Sequence, residues 1–118
     1  MERRILIVED EKEEAQVLES FLRRKKFTTH LASNIGEALS IIENYKPKII
    51  LLDLALGSEY GGDLLGSISN VREHKIVVIA GTKPTLEEIL ALHRRGVRYF
   101  LAKPVIMSSL WAVIGDIE

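Results

Sequence analysis

Short apolar runs alternate with amphipathic stretches along the whole chain. Four or more consecutive aliphatic residues cannot alternate between core and solvent, so such runs are typical of strands buried on both faces of a parallel sheet. One run is shorter and more polar because it contains Thr28 and Thr29, which suits a strand at a sheet edge. The predicted strands lie at residues 3–8, 27–32, 48–53, 75–80 and 99–102.

Between these runs, apolar residues recur at helical spacing. The predicted helices span about residues 12–25, 34–44, 63–71 and 105–117, and a further helix opens at Pro84 and Thr85 and ends before Gly96. Ser33 or Asn34 is expected to cap the second helix. Five alternations of strand and helix favour one α/β domain over residues 1–118, with a doubly wound parallel sheet and helices on both faces.

Charged or hydroxyl-bearing residues follow four of the predicted strands. They are Glu9 and Asp10, Asp53, Thr82, and Lys103. The carboxyl ends of parallel strands share one edge, and ligands of open α/β sheets bind beyond that edge. An Asp53 that only caps the next loop is the simpler alternative, but the other strand-end residues favour a shared site. Three glycines within residues 54–62 indicate a sharply bending loop beside it.

Three carboxylates beside one lysine suit a hard divalent cation. Mg²⁺ takes oxygen ligands and commonly uses one or two carboxylates together with water and a phosphate. A lysine supplies a compact positive charge for phosphoryl oxygens. Phosphoryl transfer asks the protein mainly for alignment and charge neutralisation, and a carboxylate can itself be the nucleophile. These residues therefore predict a Mg²⁺ site at which a phosphoryl group is handled.

Composition narrows the classes of function. The chain contains no Cys, which excludes disulfides and thiolate metal sites. Its 16 Lys and Arg residues against 17 Asp and Glu give a formal net charge of −1, so electrostatics offer no case for nucleic acid as a direct partner. No segment has the length and apolarity of a membrane span or a signal peptide. A soluble cytoplasmic protein without membrane contact is expected.

Over essentially its whole length the chain resembles the response-regulator receiver domains of two-component signalling. The matching features are the opening at residues 5–11, the core at residues 49–54, Gly61 with Leu64 and Leu65, Gly96, and Phe100 three residues before Lys103 and Pro104. Each feature alone is weak, but all of them in this order and spacing are specific.

The resemblance implies a flavodoxin-like fold with strand order 2-1-3-4-5. It also implies that Asp53 accepts a phosphoryl group from a phosphohistidine on a sensor histidine kinase or a histidine phosphotransfer protein. Asp10 and Asp53 would bind Mg²⁺ directly, the Ala55 carbonyl would be a third ligand, and Glu9 would act through water. Lys103 would pair with the phosphate and precede a cis proline. Such a domain is a switch rather than an enzyme, although slow autodephosphorylation is compatible with it.

The sequence departs from this family where the phosphoryl group is sensed. Gly81 stands where such domains usually have Ser or Thr, and Thr82 occupies a position that is usually small. Either Thr82 supplies the hydroxyl, or Gly81 offers only its backbone N–H. Gly57 replaces a more usual proline. Phe100 matches the family's switch aromatic, and the alternative is an ordinary strand residue.

The last helix carries more apolar residues than one buried stripe requires. In receivers this helix, the fourth helix and the fifth strand often form a dimer or effector-domain surface, so association through Trp111 is predicted. The alternative is that Trp111 packs within its own molecule. The three histidines show no metal-ligand spacing, and Arg94, Arg95 and Arg98 are expected to be surface charges.

Three functions compete. The first is a phosphoacceptor switch that relays its signal through the helix 4, strand 5 and helix 5 surface. The second is a phosphorylation-independent pseudo-receiver that serves as an interaction module, for which Gly81 is the best support. The third is an aspartate-nucleophile phosphatase, which usually has a second Asp two residues after its nucleophile. Ala55 occupies that position here.

Overall fold

Five parallel strands form the central sheet of the computed structural model, which describes residues 2–118. In chain order the elements are β1 (Arg4–Val8), α1 (Lys12–Arg24), β2 (Thr28–Ala32), α2 (Ile35–Tyr45), β3 (Ile49–Asp53), β4 (Ala55–Leu56), β5 (Glu59–Tyr60), β6 (Lys75–Ala80), α3 (Leu86–Arg94), β7 (Tyr99–Ala102) and α4 (Met107–Ile117). The sheet order is β2-β1-β3-β6-β7. Because β4 and β5 form a separate small hairpin, the sheet strands alone follow the predicted order 2-1-3-4-5, which is confirmed.

The third predicted helix is wrong in type and extent. Residues 63–71 do not form an α-helix; a 3₁₀ helix spans Gly61–Ser67 and a second short one spans Val71–Glu73. Three glycines within the first segment disfavour α-helix, whereas Leu64 and Leu65 are buried and anchor it to the core. The last helix begins at Met107, two residues later than predicted, because Ile106 is extended.

The predicted cap of α2 is confirmed, and the structure shows a side-chain cap at α3 as well. Of the two candidates before α2, Asn34 accepts a hydrogen bond from the Glu37 N–H at 2.9 Å, and the Thr85 hydroxyl accepts from the Glu88 N–H at 3.1 Å. Gly96 has φ of +103°, as its predicted place after α3 requires. Within residues 2–118, every helix is too short or too polar to cross a membrane.

The core lies in two layers, one on each face of the sheet. Alternate residues of β1, β3 and β6 point to opposite faces. One layer packs against α2, α3 and the 3₁₀ helix, and the other against α1 and α4. In β3 all five residues are buried, including Asp53. This strand is therefore held from both sides, and its last side chain is delivered to a fixed position at the carboxyl edge.

The last helix buries Leu110 and Ile114 against the sheet. Trp111, at 37% exposure, packs edge-on against Phe21 of α1 with ring centroids 6.2 Å apart, and the Lys25 ammonium lies 4.8 Å from its ring. These contacts support the alternative that Trp111 packs within its own molecule. Association through this helix stays a prediction.

The hairpin turns back so closely onto β3 that Gly61 has no room for a side chain. A Cβ at Gly61 would lie 2.0 Å from the Asp53 carbonyl oxygen. We expect Gly61→Ala to lower the free energy of unfolding by roughly 3 kcal/mol. Chemical denaturation measures this loss. The matched control is Gly115→Ala in α4, where a Cβ meets nothing within 4 Å and helix propensity should raise stability by up to about 1 kcal/mol. Equal stabilities of the two variants would contradict the close packing at Gly61.

Candidate functional site

The carboxyl ends of β1, β3 and β7 bring four of the predicted residues together. Glu9 and Asp53 are buried, at 5% and 1% exposure, whereas Asp10 is exposed. One carboxylate oxygen from each of these three residues lies within 4.8 Å of the others. Lys103 follows β7, and its bond to Pro104 is cis, as predicted. Three acids and one base thus meet at one edge of the sheet.

The Lys103 ammonium contacts three carboxylates at once. Its Nζ lies 2.6 Å from Asp53 Oδ2, 3.1 Å from Glu9 Oε1 and 2.8 Å from Glu14 Oε2. Glu14, in the first turns of α1, was not predicted from the sequence. Its only signal is that α1 starts directly after the acidic end of β1, and several acids there are equally placed by sequence alone.

Both oxygens of Asp53 have hydrogen-bond partners. Oδ1 accepts from the Ala55 N–H at 2.9 Å, and Oδ2 accepts from Lys103. The backbone N–H that follows, at Leu54, donates to the Ile79 carbonyl at 3.1 Å, so the chain remains tied to β6 as it leaves the strand. These bonds fix the orientation of the Asp53 carboxylate.

The charges at the site are only partly balanced. Burial, followed by the proximity of Asp53, raises the pKa of Glu9 to about 8, although Lys103 and the Glu11 N–H act in the opposite direction. Burial opposes the charge on Lys103, but hydrogen bonds to Asp53, Glu14 and Glu9 raise its pKa above the usual value. The Lys103 ammonium lowers the pKa of the exposed Glu14. The single positive charge of Lys103 is therefore shared among three carboxyl groups.

The three residues predicted for sensing lie in different surroundings. A Cβ at Gly81 would meet only the Lys103 Cδ, at 3.7 Å, which is ordinary van der Waals contact. Gly81 is therefore beside Lys103, with space for a small side chain. Thr82 is exposed, and its hydroxyl forms no hydrogen bond within residues 2–118. Phe100 is half-buried and packs against the core layer on the α2 side.

The residues present fit a hard divalent cation. All of the donors at the acidic cluster are oxygen atoms, which Mg²⁺ and Ca²⁺ both prefer. The exposed Asp10 leaves one side open to solvent, where water could complete the coordination. Ala55, whose carbonyl is a predicted ligand, lies in β4 two residues after Asp53.

The sheet order and the acidic pocket with its lysine define a CheY-like α/β domain. Residues 5–115 match the family model described as the response regulator receiver domain. The chain belongs to this family. Receiver domains bind a divalent metal at an acidic pocket, and the Glu9, Asp10 and Asp53 cluster is such a pocket.

Solved structures agree with this assignment. A two-component response regulator from Clostridium difficile is 30% identical, with a TM-score of 0.90, 98% of this chain covered and 95% of that chain. A CheY-like receiver domain protein from Methanospirillum hungatei is 26% identical, with a TM-score of 0.89 and coverages of 98% and 93%. A response regulator from Burkholderia pseudomallei, described with a phosphorylated aspartic acid, a calcium ion and citrate, is 26% identical, with a TM-score of 0.85 and coverages of 94% and 65%.

When a chelator removes divalent metal ions, the raised pKa of Glu9 predicts that the free energy of unfolding falls as the pH rises. The folded protein keeps the Glu9 proton up to about pH 8, whereas the unfolded chain releases it near the ordinary value of 4.5. The folded state thus binds more protons within that window, so the free energy of unfolding decreases across it. Glu9→Gln should flatten this slope and be more stable than the wild type above the window, by roughly 1–3 kcal/mol.

Thermal unfolding against pH measures this effect. The matched control is Glu14→Gln, which removes an exposed carboxylate from the same ammonium and should give no such gain. A slope that survives unchanged in Glu9→Gln would show that another group causes it.

Proposed function

We propose that this receiver domain is the phosphoacceptor switch of a two-component system. Asp53 takes a phosphoryl group from a phosphohistidine on a sensor histidine kinase or a histidine phosphotransfer protein. The observation that carries the proposal is the geometry of the Asp53 carboxylate. It is buried at the end of β3, with one oxygen 2.6 Å from the Lys103 ammonium and the other 2.9 Å from the Ala55 N–H.

The proposed transfer makes one bond and breaks one. A carboxylate oxygen of Asp53 forms the new P–O bond, and the P–N bond of the phosphohistidine breaks. The leaving imidazole nitrogen keeps the electron pair and takes a proton from solvent. The Ala55 N–H holds the carboxylate in orientation, and Lys103 compensates the negative charge on the phosphoryl oxygens. The protein acts as an acceptor of one group rather than as an enzyme with turnover.

Asp10 and Asp53 would hold Mg²⁺ directly, with the Ala55 carbonyl as a further ligand and Glu9 acting through water. The metal would neutralise charge on the phosphoryl oxygens during transfer. Support comes from the spacing of the three carboxylates and from the Burkholderia pseudomallei protein, whose structure holds a calcium ion together with a phosphorylated aspartic acid.

The output surface proposed for this switch is formed by α3, β7 and α4. These elements are the fourth helix, the fifth strand and the fifth helix of the sequence prediction. Its strongest support is apolar exposure: Leu86 in α3 is 71% exposed, Leu90 is 45% exposed, and Ile106 before α4 is 63% exposed. Phe100 lies on β7 three residues before Lys103, so one short strand joins this surface to the phosphoryl site. A second copy of the chain or an effector domain is the partner we expect there.

A phosphorylation-independent interaction module is the second candidate. It is favoured by Gly81, which brings no hydroxyl to the position beside Lys103. It is disfavoured by the retention of Glu9, Asp10, Asp53 and Lys103 in one cluster, because a module without phosphorylation has no use for three acids gathered around one lysine.

Phosphorylation should occur at Asp53 alone. With Mg²⁺ and acetyl phosphate, intact mass should show one added phosphate on the wild type and none on Asp53→Ala. The matched control is Asp63→Ala, which removes an exposed acid outside the cluster and should label as the wild type does. Undiminished labelling of Asp53→Ala would refute the assignment, and an unlabelled wild type would favour the interaction module.

Restoring a hydroxyl beside Lys103 should strengthen the switch. Gly81→Ser fits because its Cβ would meet only the Lys103 Cδ, at an ordinary van der Waals distance of 3.7 Å. A phosphorylation-state mimic such as beryllofluoride should then change amide hydrogen exchange in α3 and β7 several-fold more than in the wild type, because the two states differ by an additional hydrogen bond.

Two further variants complete this test. Gly115→Ser, in open space on α4, should respond as the wild type does. Thr82→Val decides whether Thr82 already supplies the hydroxyl. If it abolishes a strong wild-type response to the mimic, Thr82 is the sensor, and the gain expected from Gly81→Ser is wrong.

A further inference from the structure

Basic residues are concentrated at the edge of the sheet opposite the acidic pocket. Each of the five sheet strands begins with, or closely follows, a Lys or Arg. These residues are Arg3 and Arg4 at β1, Lys25 and Lys26 before β2, Lys46 and Lys48 before β3, Lys75 at β6 and Arg98 before β7. Because parallel strands start at the same edge, these charges share it. Arg3 and Arg4 are paired with Glu118 and Glu2, but the other six form no ion pair within residues 2–118, so this edge keeps an excess of positive charge although the formal net charge is −1.

A cavity of about 310 Å³ opens at the basic edge, where β6 and β7 begin. Its basic lining residues are Arg72, His74, Lys75, His93, Arg94 and Arg98. Tyr99 also lines it, and the Tyr99 hydroxyl donates a hydrogen bond to Asp116 at 2.7 Å. No carboxylate lines it. The nearest acid in sequence, Glu73, lines a neighbouring groove beside Ser67 and Asn70 instead.

The four strong cations of this cavity have no anionic partner within residues 2–118. Arg72, Lys75, Arg94 and Arg98 form neither an ion pair nor a side-chain hydrogen bond there, whereas other basic side chains, such as Arg3, are paired with carboxylates. Like charges gathered around a concave surface repel one another, and a bound anion would relieve that repulsion.

Both histidines of the cavity are held by backbone carbonyls. The Nδ1 atom of His74 lies 2.6 Å from the Pro47 carbonyl oxygen, and that of His93 lies 3.3 Å from the Val97 carbonyl oxygen. A carbonyl oxygen can only accept, so each Nδ1 carries the donated proton. In the neutral ring Nε2 then has a lone pair and cannot donate to an anion, so the two histidines shape the cavity and the four cations supply its charge.

We propose that this cavity binds a small phosphate-bearing anion, such as an inorganic oligophosphate or the phosphate chain of a nucleotide. Guanidinium groups match phosphate oxygens with two parallel hydrogen bonds, and three of the four cations are arginines. The volume lies at the lower end of the range of small-molecule sites. Its concave shape favours a compact anion over an extended nucleic acid, which needs a continuous basic track.

This site is independent of phosphorylation at Asp53. Lys75 starts β6, whereas Asp53 pairs with Ile79 near the other end of that strand. The two sites are therefore roughly 13 Å apart along the strand. Binding at the cavity should persist unchanged in Asp53→Ala, so a failure here and a failure of the proposed phosphoacceptor function are distinguishable.

Calorimetric titration with inorganic triphosphate, without Mg²⁺, tests the proposal. We expect binding of one ligand per chain, weakened at least about tenfold in Arg72→Gln/Arg98→Gln, because two charge-assisted contacts are lost. The matched control is Arg24→Gln/Lys83→Gln, which removes the same charge from exposed positions outside the cavity and should stay within about threefold of the wild type. Circular dichroism establishes that both variants fold.

Competition experiments distinguish the sources of the phosphate. A nucleoside triphosphate that competes with inorganic triphosphate supports the proposal. Equal weakening in the two double variants would mean that only overall charge is sensed, which overturns it. Absence of binding at millimolar triphosphate overturns it as well. So does binding of a short DNA duplex that triphosphate does not displace, because the basic edge would then be a nucleic-acid surface.

Discussion

The site depends on one ammonium group that is shared by three carboxylates. Asp53 and Glu9 are buried, and without Lys103 each would be an uncompensated charge in a poorly solvated place. Even with Lys103 in contact, burial and then the proximity of Asp53 raise the pKa of Glu9. The pocket therefore gains from any additional positive charge, which is the physical reason that such a cluster favours a divalent cation. A group added to Asp53 would have to compete for the same ammonium.

The position of Asp53 follows from burial of β3 on both faces. A carboxylate on a mobile loop would lose its orientation, but five consecutive buried residues hold this strand between two core layers. The hairpin then returns against β3, where the Gly61 N–H donates to the Leu54 carbonyl at 2.7 Å. This close return is possible only without a side chain at Gly61. The end of the loop at Gly61 is thus held closely against β3.

Much of this arrangement could be predicted from the sequence, because parallel topology converts positions along the chain into positions in space. Once five strands were assigned, Glu9, Asp10, Asp53 and Lys103 had to share an edge. Glu14 could not be found in this way, since the rotation of α1 relative to the sheet decides which of its acids reaches Lys103. The α-helix predicted over residues 63–71 was wrong. Leu64 and Leu65 can be buried from a 3₁₀ helix as well as from an α-helix, and the glycines around them disfavour the α-helix.

The same topology explains why net charge was a poor guide to ligands. In a parallel sheet all strands end at one edge and begin at the other. Acids that follow strands and bases that precede strands therefore lie at opposite edges. Arg94 and Arg98 are exposed, as predicted for surface charges, and they line one cavity because α3 ends close to the start of β7. The charge that attracts a ligand to such a domain is therefore the local charge at one edge of the sheet, and the net charge of the chain does not describe it. Each edge can attract a ligand of opposite sign while the whole molecule remains nearly neutral.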